Sequence, residues 1–290
     1  TQLTSAVRAS FGRMEPALLA LPVREPYAQG EGERLQVTWP QRSPQTTRNS
    51  RLEPGAQRPA THRADLVSYL GTLPNGRDIY LPFVNLPSLL VTGGRSVDPY
   101  LGLNLLLTEL SYLASERELR YLVAEPRSQQ QHAGEPLSPF EGNAQLFTPV
   151  MYTQPLVHAS LTWLLRELWA REELMRQHKL SAFKDLAAQS QSPLYRVVYL
   201  VPELNNLASD NMKLLALLLD RLNKGSFDAG VHLLLNTRGA PNALTRRLMK
   251  GCPRRLSLKA SAEEASALGE PAASLLMPHQ QDMLLTLKQH

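Results

Sequence analysis

Residues 88–110 read SLLVTGGRSVDPYLGLNLLLTEL, and this stretch decides the fold. It joins an apolar strand, a glycine turn at Gly93-Gly94 and a helix, which is the outline of a loop that holds nucleotide phosphates. The lysine that such a loop requires is missing. Asp98 and Pro99 instead predict a helix that caps itself, because aspartate is a favoured N-cap and proline a favoured first helical residue. The sequence therefore predicts a capped turn, with the Asp98 carboxylate where phosphate would lie.

Strands and helices alternate on the C-terminal side of this stretch. Strands are predicted at LRYLVAEP, YRVVYLVPEL and GVHLLLNT, and helices at PYLGLNLLLTELSYLASE, PLVHASLTWLLRELWAREELMRQHKLSAFKDLAAQ and DNMKLLALLLDRLNKG. Each strand is apolar on both faces, which indicates a parallel sheet flanked by helices and so an α/β fold. On the N-terminal side, Asn75-Gly76 between two apolar runs predicts a preceding β-hairpin.

Residues 1–63 differ in composition from the rest of the chain, with nine arginines, five glutamates and no lysine. Residues 21–63 are rich in Pro, Gly, Arg and Gln, which predicts a linker with a short strand at Leu35–Trp39. We therefore expect an N-terminal helix and linker over residues 1–63 and one α/β domain over residues 64–290. The helix is amphipathic and either packs on its own domain or docks on a partner. Its apolar stripe consists of Leu3, Val7, Phe11, Met14 and Leu18.

The bulk composition is that of a folded protein in a reducing compartment. The chain has 290 residues, 43% of them hydrophobic, with a formal charge of +5 and a pI near 9.4. This bias permits binding to a polyanion without requiring it. The single cysteine, Cys252, excludes an internal disulfide and a cysteine-based zinc cluster. No apolar run reaches the ~18 residues of a membrane span and no signal-peptide pattern is present, so we expect a cytoplasmic location.

The order of these pieces resembles the motor domain of the FtsK/SpoIIIE DNA translocases, in the FtsK–HerA branch of RecA-like P-loop ATPases. The resemblance extends from about Val67 to Leu285 and implies a RecA-like P-loop fold. LLVTG at 89–93 is similar to the family's LLVAG, and Leu101-Gly102-Leu103-Asn104 to its V-G-V-N run. YLVAEPR resembles a strand that ends in D-P-K, VVYLVPELNNL the second nucleotide motif, and GVHLLLNTRGAP the family's G-I-H-L-V-L-A-T-Q-R-P.

Departures from the family pattern fall on the residues that hold nucleotide. On this frame the family's lysine falls on Pro99 and its magnesium-binding serine on Tyr100. The acidic residue of the second motif is Pro202, although Glu203 remains at the position of the catalytic base. Arg238 replaces the glutamine that senses the γ-phosphate, and the later S-R pair has no match in SAEEASALGEPAASLL. The resemblance thus implies a degenerate nucleotide loop with no cofactor and no metal. Glu203 becomes a vestigial strand-end carboxylate that caps a turn or pairs with Arg238.

A second candidate site is basic. The segment TRRLMKGCPRRLSLK carries six cations and no acid. They belong either to a solvated helix end or to a surface that contacts DNA phosphates without reading bases. The resemblance favours DNA, because the equivalent region of the family's motors carries a pore loop that touches DNA. The cations are Arg246, Arg247, Lys250, Arg254, Arg255 and Lys259.

These features predict a catalytically inactive, motor-like subunit of a DNA-translocation or DNA-processing assembly, associated with another chain such as an active P-loop motor. The alternative is a peptide-recognition module of a secretion-type motor complex, in which Pro99, Tyr100 and Pro202 would suit a peptide. A third hypothesis, an active enzyme with an unconventional site, is disfavoured because no G-x-S-x-G elbow, H-E-x-x-H motif or metal-ligand spacing occurs. His232 lies inside an apolar strand and is predicted to be a core residue.

Overall fold

The computed structural model describes residues 33–38, 66–72, 78–98, 100–127, 138–190, 194–225, 228–276 and 282–287. The amphipathic helix predicted at residues 1–20, the Asn75-Gly76 turn and Pro99 lie outside these ranges. The predicted partner-binding positions that also lie outside them are Leu3, Val7, Phe11, Met14 and Leu18.

Nine strands of the described residues form one sheet, in the spatial order β3-β2-β1-β9-β8-β4-β7-β6-β5. Strands β8, β4, β7, β6 and β5 run parallel, whereas antiparallel ladders join β3, β2, β1, β9 and β8. The predicted α/β class with a parallel sheet is confirmed, and an antiparallel extension adds to it. The strands are β1 Glu33–Thr38, β2 Val67–Thr72, β3 Asp78–Pro82, β4 Ser88–Gly93, β5 Leu119–Val123, β6 Arg196–Val201, β7 Val231–Arg238, β8 Arg254–Ser257 and β9 Asp282–Leu287.

Six α-helices of the described residues flank this sheet. They are α1 Leu101–Leu113, α2 Gln154–Gln177, α3 Phe183–Gln189, α4 Ser209–Lys224, α5 Ala243–Lys250 and α6 Ala262–Leu268. None of the six is long and apolar enough to span a lipid bilayer. Short 3-10 helices cover Phe83–Asn85, Leu204–Asn206 and Pro271–Leu275.

The core has two layers, one on each face of the sheet. Successive strand side chains point to opposite faces, so Val197 and Tyr199 of β6 pack with α2 and α4, while Val198 and Leu200 pack with α1. All six residues of β6 are buried. This double burial explains why the central strands are apolar at every position rather than at alternate ones.

The N-terminal part of the sheet contains the predicted hairpin and one strand of the predicted linker. In the hairpin β2–β3, Tyr69 lies opposite Tyr80. The strand predicted at Leu35–Trp39 is present as β1, which lies between β2 and β9. Leu35 of β1 pairs with Leu285 of β9. The sheet therefore includes six residues from within residues 1–63.

Candidate functional site

The candidate site lies where the parallel strands end. Gly93 at the end of β4 pairs with Arg238 at the end of β7. Glu125 and Glu203 follow the neighbouring strands β5 and β6. Ligands of parallel α/β sheets bind outside this carboxyl edge. Tyr100 joins the same edge through a hydrogen bond to Glu125. The structure therefore brings the predicted residues Gly93, Tyr100, Glu203 and Arg238 to one edge of the sheet.

The glycine turn after β4 is closely packed. A Cβ atom at Gly93 would lie 3.3 Å from Leu258 Cβ. A Cβ atom at Gly94 would lie 2.7 Å from Glu264 Oε2 and 3.0 Å from Ala260 Cα. Gly94 is therefore required because the segment that leads into α6 approaches the backbone closely.

Backbone N–H groups of this turn find acceptors within the chain. Gly94 donates to the carbonyl of Lys259 at 2.9 Å, and Arg95 donates to Glu264 Oε1 at 3.1 Å. Glu264 Oε2 also accepts the backbone N–H of Ser261 at 3.1 Å. The Arg95 N–H, followed by the Ser261 N–H, lowers the pKa of Glu264 below its ordinary value. A side-chain anion of the protein itself thus lies on the turn.

Asp98 provides a second anion at the start of α1. Its Oδ1 accepts the backbone N–H of Tyr100 at 2.8 Å, and its carbonyl accepts the N–H of Leu101 at 3.2 Å. The regular helix begins at Leu101, two residues after the predicted start at Pro99. The predicted N-cap at Asp98 is therefore wrong, because the N-cap residue is Tyr100 and it makes no side-chain capping hydrogen bond. Asp98 instead closes a turn just before the helix, since its side chain accepts a backbone N–H two residues along the chain.

Tyr100 is held in a polar and aromatic cluster. Its hydroxyl donates to Glu125 Oε1 at 2.9 Å, and the guanidinium of Arg127 pairs with the same oxygen at 2.6 Å. The Tyr100 ring meets Phe140 edge-on at 5.7 Å, while the Arg127 guanidinium lies 4.6 Å from the Tyr152 ring. Burial, and then the charge of Glu125, raise the pKa of Tyr100. The phenol therefore remains a neutral hydrogen-bond donor to Glu125.

Glu203 contacts the 3-10 helix that follows β6 and the end of β7. Its carboxylate accepts the backbone N–H of Asn205 at 3.0 Å, which caps the 3-10 helix after β6, and it lies 3.7 Å from Arg238 Nε. Burial raises the pKa of Glu203, and these contacts only partly oppose the shift. The carbonyl of buried Pro202 accepts Asn236 Nδ2 at 2.7 Å. Among the described residues, no three His, Cys, Asp or Glu side chains are grouped to hold a metal ion.

Known sequences resemble this chain at modest identity. No known protein-family model matches the chain. Over 237 residues it is 27% identical to the DNA translocase FtsK of Corynebacterium efficiens, covering 72% of this chain and 24% of that protein. Over 209 residues it is 23% identical to the DNA translocase SftA of Bacillus subtilis, covering 70% and 21%. The chain thus spans about a quarter of the length of these curated relatives.

Solved structures share the fold across most of the chain. The cytoplasmic domain of the type VII secretion ATPase EccC from Thermomonospora curvata matches 83% of this chain and 30% of its own, with a TM-score of 0.61 at 21% identity. This chain has the fold of an FtsK-type motor domain. The pCW3 conjugation coupling protein TcpA, solved with ATPγS, matches 99% of this chain and 92% of its own, with a TM-score of 0.59 at 13% identity.

The basic cluster divides into two sets. Arg246, Arg247 and Lys250 are exposed on α5. Lys250 follows Arg246 by four residues and Arg247 by three, so it lies beside both on the helix surface. The last turn of α5 carries Arg247 and Lys250, a placement that the helix dipole also favours.

The other cations of the cluster contact the protein itself. Arg255 forms an ion pair with Glu270 at 3.5 Å, and the ammonium group of Lys259 donates to the carbonyl of Ser274. Arg254 is half-buried, and burial lowers its pKa. Of the six cations in this segment, only the three on α5 therefore form an exposed basic surface.

Three important residues of the site were not identified from sequence, namely Glu125, Arg127 and Glu264. A signal did exist for Glu264, because Ser261-x-x-Glu264 has the pattern of a capping box, and the structure contains that box at the start of α6. The pattern does not point to the turn after β4, since the contact with Arg95 joins residues 169 positions apart.

His232 is a core residue, as predicted. It is buried in β7, with Nδ1 at 2.9 Å from the carbonyl oxygen of Leu86. Burial, and then the charge of Arg196, lower the pKa of His232 to about 4. The imidazole is therefore neutral at physiological pH and belongs to the packing of the strand ends opposite the candidate site.

Proposed function

We propose that this chain is a motor-like subunit without ATPase activity, which acts as a structural or regulatory part of a DNA-translocation or DNA-processing assembly. The observation that carries the proposal is the occupation of the turn after β4. Glu264 binds the N–H of Arg95, and Asp98 binds the N–H of Tyr100. A bound phosphate would have to displace or approach both carboxylates. Relatives that are named DNA translocases support the assembly role.

Lost ligands add to this barrier. On the FtsK-type frame, Pro99 stands at the phosphate-binding lysine and Tyr100 at the magnesium-binding serine. Loss of one charge-assisted lysine contact costs about 1.5–3 kcal/mol. Loss of the magnesium ligand removes the charge that neutralises the phosphates. With the added repulsion, affinity falls by roughly two to three orders of magnitude at ~1.4 kcal/mol per tenfold.

The environment of Glu203 supports the loss of hydrolysis. A catalytic base must lie within hydrogen-bond reach of the attacking water in its ionised form. The oxygens of Glu203 already accept the N–H of Asn205 and lie near Arg238, so a water would have to compete with these contacts. We infer that this carboxylate stabilises the end of β6.

DNA is the polyanion that best fits the α5 face. Arg246, Arg247 and Lys250 extend from one side of the helix with no acid among them. Contact with the phosphate backbone needs such cations and no base-reading geometry. We therefore infer sequence-independent contact with DNA, with an active P-loop motor as the partner that supplies ATP hydrolysis.

The peptide-recognition alternative is less well supported. It needs Tyr100 and Pro202 to be available to a peptide. The Tyr100 ring packs against Phe140 and its hydroxyl is bound to Glu125, while Pro202 is buried. A peptide would therefore have to break existing contacts before it gained new ones.

Calorimetric titration of the chain with Mg-ATP tests the absence of nucleotide binding. We expect no saturable binding at physiological, millimolar concentrations, because the turn is occupied and the lysine and magnesium ligands are lost. The Pro99→Lys variant is a matched control that restores one family residue. It should also fail to bind, since Asp98, Glu264 and Tyr100 remain in place. A micromolar dissociation constant for either protein would contradict the proposal.

A further inference from the structure

Lys259, which precedes α6, and Glu264, which lies within α6, contact two successive residues of the turn after β4. The carbonyl of Lys259 accepts the N–H of Gly94, and the carboxylate of Glu264 accepts the N–H of Arg95. The first contact is between backbone groups. The second depends on one side chain, and it is therefore the contact that a change in a single residue can remove.

Arg95 is also restrained from its other side. Gly239 has φ +63°, and a Cβ atom there would lie 2.8 Å from both Cγ and Nε of Arg95. The side chain of Arg95 thus lies against the turn that follows β7, while its backbone N–H faces Glu264. Loss of the carboxylate would leave the side-chain contact and remove the acceptor of the N–H.

The two oxygens of Glu264 serve two different elements. Oε1 accepts from Arg95, and Oε2 accepts from the backbone N–H of Ser261 in the capping box of α6. The Ser261 hydroxyl in return accepts the backbone N–H of Glu264 at 3.2 Å. A single carboxylate therefore joins the first turn of α6 to the turn after β4.

Helix α6 is itself anchored to the end of α5. Glu270, which follows α6, forms an ion pair with Arg255, and Arg255 also donates to the carbonyl of Met249 in α5 at 2.8 Å. Gly269 ends α6 with a left-handed φ of 75°. The helix that carries Glu264 is therefore fixed to the rest of the domain.

We propose that Glu264 is a latch that keeps the turn after β4 closed against α6, and that the turn opens when this carboxylate is removed. The inference deepens the proposed function, because a closed turn keeps its N–H groups away from an external anion. It makes the pairing of the Arg95 N–H depend on one side chain, while the backbone contact between Gly94 and Lys259 remains. The loss of the lysine and magnesium ligands is a separate matter.

Hydrogen exchange at the amides of residues 93–98, followed by mass spectrometry or NMR, tests the latch without any ligand. Loss of the hydrogen bond from the Arg95 N–H to the charged carboxylate should speed hydrogen exchange at Arg95 by about tenfold or more. We expect this increase in Glu264→Ala and a smaller one in Glu264→Gln, which keeps an oxygen acceptor without the charge.

Ser261→Ala is the matched control. It removes the other half of the capping box but leaves Glu264 in reach of Arg95, so exchange should rise within α6 and stay unchanged at Arg95. Equal exchange at Arg95 in folded Glu264→Ala and in the unsubstituted chain would overturn the latch. Binding of Mg-ATP by the unsubstituted chain would instead contradict the proposed function, so the two failures are distinguishable.

Discussion

At the scale of single residues, each carboxylate of the candidate site already has a hydrogen-bond donor or a cation of the same chain as its partner. Each lies close to a donor at the carboxyl edge of the sheet, and a nucleotide would have to compete with these donors while bringing further negative charge. The missing lysine is therefore only part of the reason that we expect no nucleotide binding. The pairs are Asp98 with the N–H of Tyr100, Glu125 with Arg127, Glu203 with Arg238 and Glu264 with the N–H of Arg95.

Asp98→Ala should destabilise the domain. The substitution removes the acceptor of the Tyr100 N–H in the turn before α1, and loss of one such hydrogen bond costs about 0.5–1.5 kcal/mol. Urea denaturation followed by circular dichroism measures the change in the free energy of unfolding. Asp98→Asn keeps an oxygen acceptor and should remain close to the unsubstituted protein. Equal stability of Asp98→Ala and the unsubstituted chain would show that this hydrogen bond contributes nothing.

Glu203 should make stability depend on pH in the direction opposite to a carboxylate whose pKa is lowered in the folded state. Burial raises its folded-state pKa above the unfolded value, so the folded state binds the proton more tightly. Relative to Glu203→Gln, the unsubstituted protein should gain stability as pH falls through the raised pKa. The gain should be complete below the ordinary glutamate value of about 4.3. Urea denaturation of both proteins at neutral and acidic pH measures this difference, and a difference independent of pH would contradict it.

Among the elements, α5 and α6 have separate tasks although they are neighbours in the chain. Helix α5 presents an exposed basic face, while α6 and the residues around it contact the turn after β4. Arg255 belongs to the structural part, because its guanidinium bridges Glu270 and backbone carbonyls near the end of α5. A DNA-binding experiment should therefore change α5 alone, since substitution of Arg255 would also disturb packing.

Substitution of Arg246, Arg247 and Lys250 by Gln should weaken DNA binding and reduce its salt dependence. Each phosphate contact contributes a slope of about −0.9 in a plot of log K against log salt. Loss of all three contacts should therefore flatten the slope by up to ~3, equally for different DNA sequences. Fluorescence anisotropy of duplexes over a salt series measures this slope.

The matched control removes the same charge elsewhere. Arg166, Arg176 and Lys184 are exposed on α2 and α3. Their replacement by Gln should leave most of the salt slope in place. If the two triple variants have equal effects, binding depends on net charge rather than on the α5 face. If the α5 variant leaves the salt slope unchanged, the three cations of α5 do not contact DNA.

At the scale of the whole molecule, β1 separates residues 1–63 into a part before the sheet and a part that belongs to it. This strand lies between β2 and β9, so removal of residues 1–63 would take a strand out of the middle of the sheet. Residues 1–32 precede β1 and contain the predicted amphipathic helix. A helix on a flexible tether raises the effective concentration of a weakly binding partner. We therefore propose that association with another chain runs through residues 1–32.

Deletion of residues 1–32 should abolish co-purification with a partner chain while the sheet remains folded. Affinity purification of the tagged chain from its own cells, with circular dichroism of the purified variant, measures both results. Val7→Asp with Phe11→Asp in the full chain places charge on the predicted apolar stripe and should have the same effect. A complex that survives both changes, or a full chain without any partner in extracts, would refute this role.

Much of the candidate site followed from local sequence, but its contacts did not. The glycine turn and Asp98 were identified because turn and cap residues act on neighbours a few positions away. The pairing of Glu203 with Arg238 followed from two strand ends of a recognised sheet. The cluster of Tyr100 with Glu125 and Arg127 was missed, because a polar residue after a strand does not indicate which helix start it faces.

The sequence by itself determined the α/β class, the parallel core strands and the glycine turn after β4, since apolar periodicity and turn chemistry are properties of short stretches of chain. It placed the start of α1 two residues too early. Tertiary structure alone decided that β1 completes the antiparallel extension, that Arg255 and Lys259 turn inward, and that Glu264 lies on the turn after β4. These contacts join residues far apart in the chain. Their proximity depends on the order of strands and the packing of helices, which no local pattern specifies.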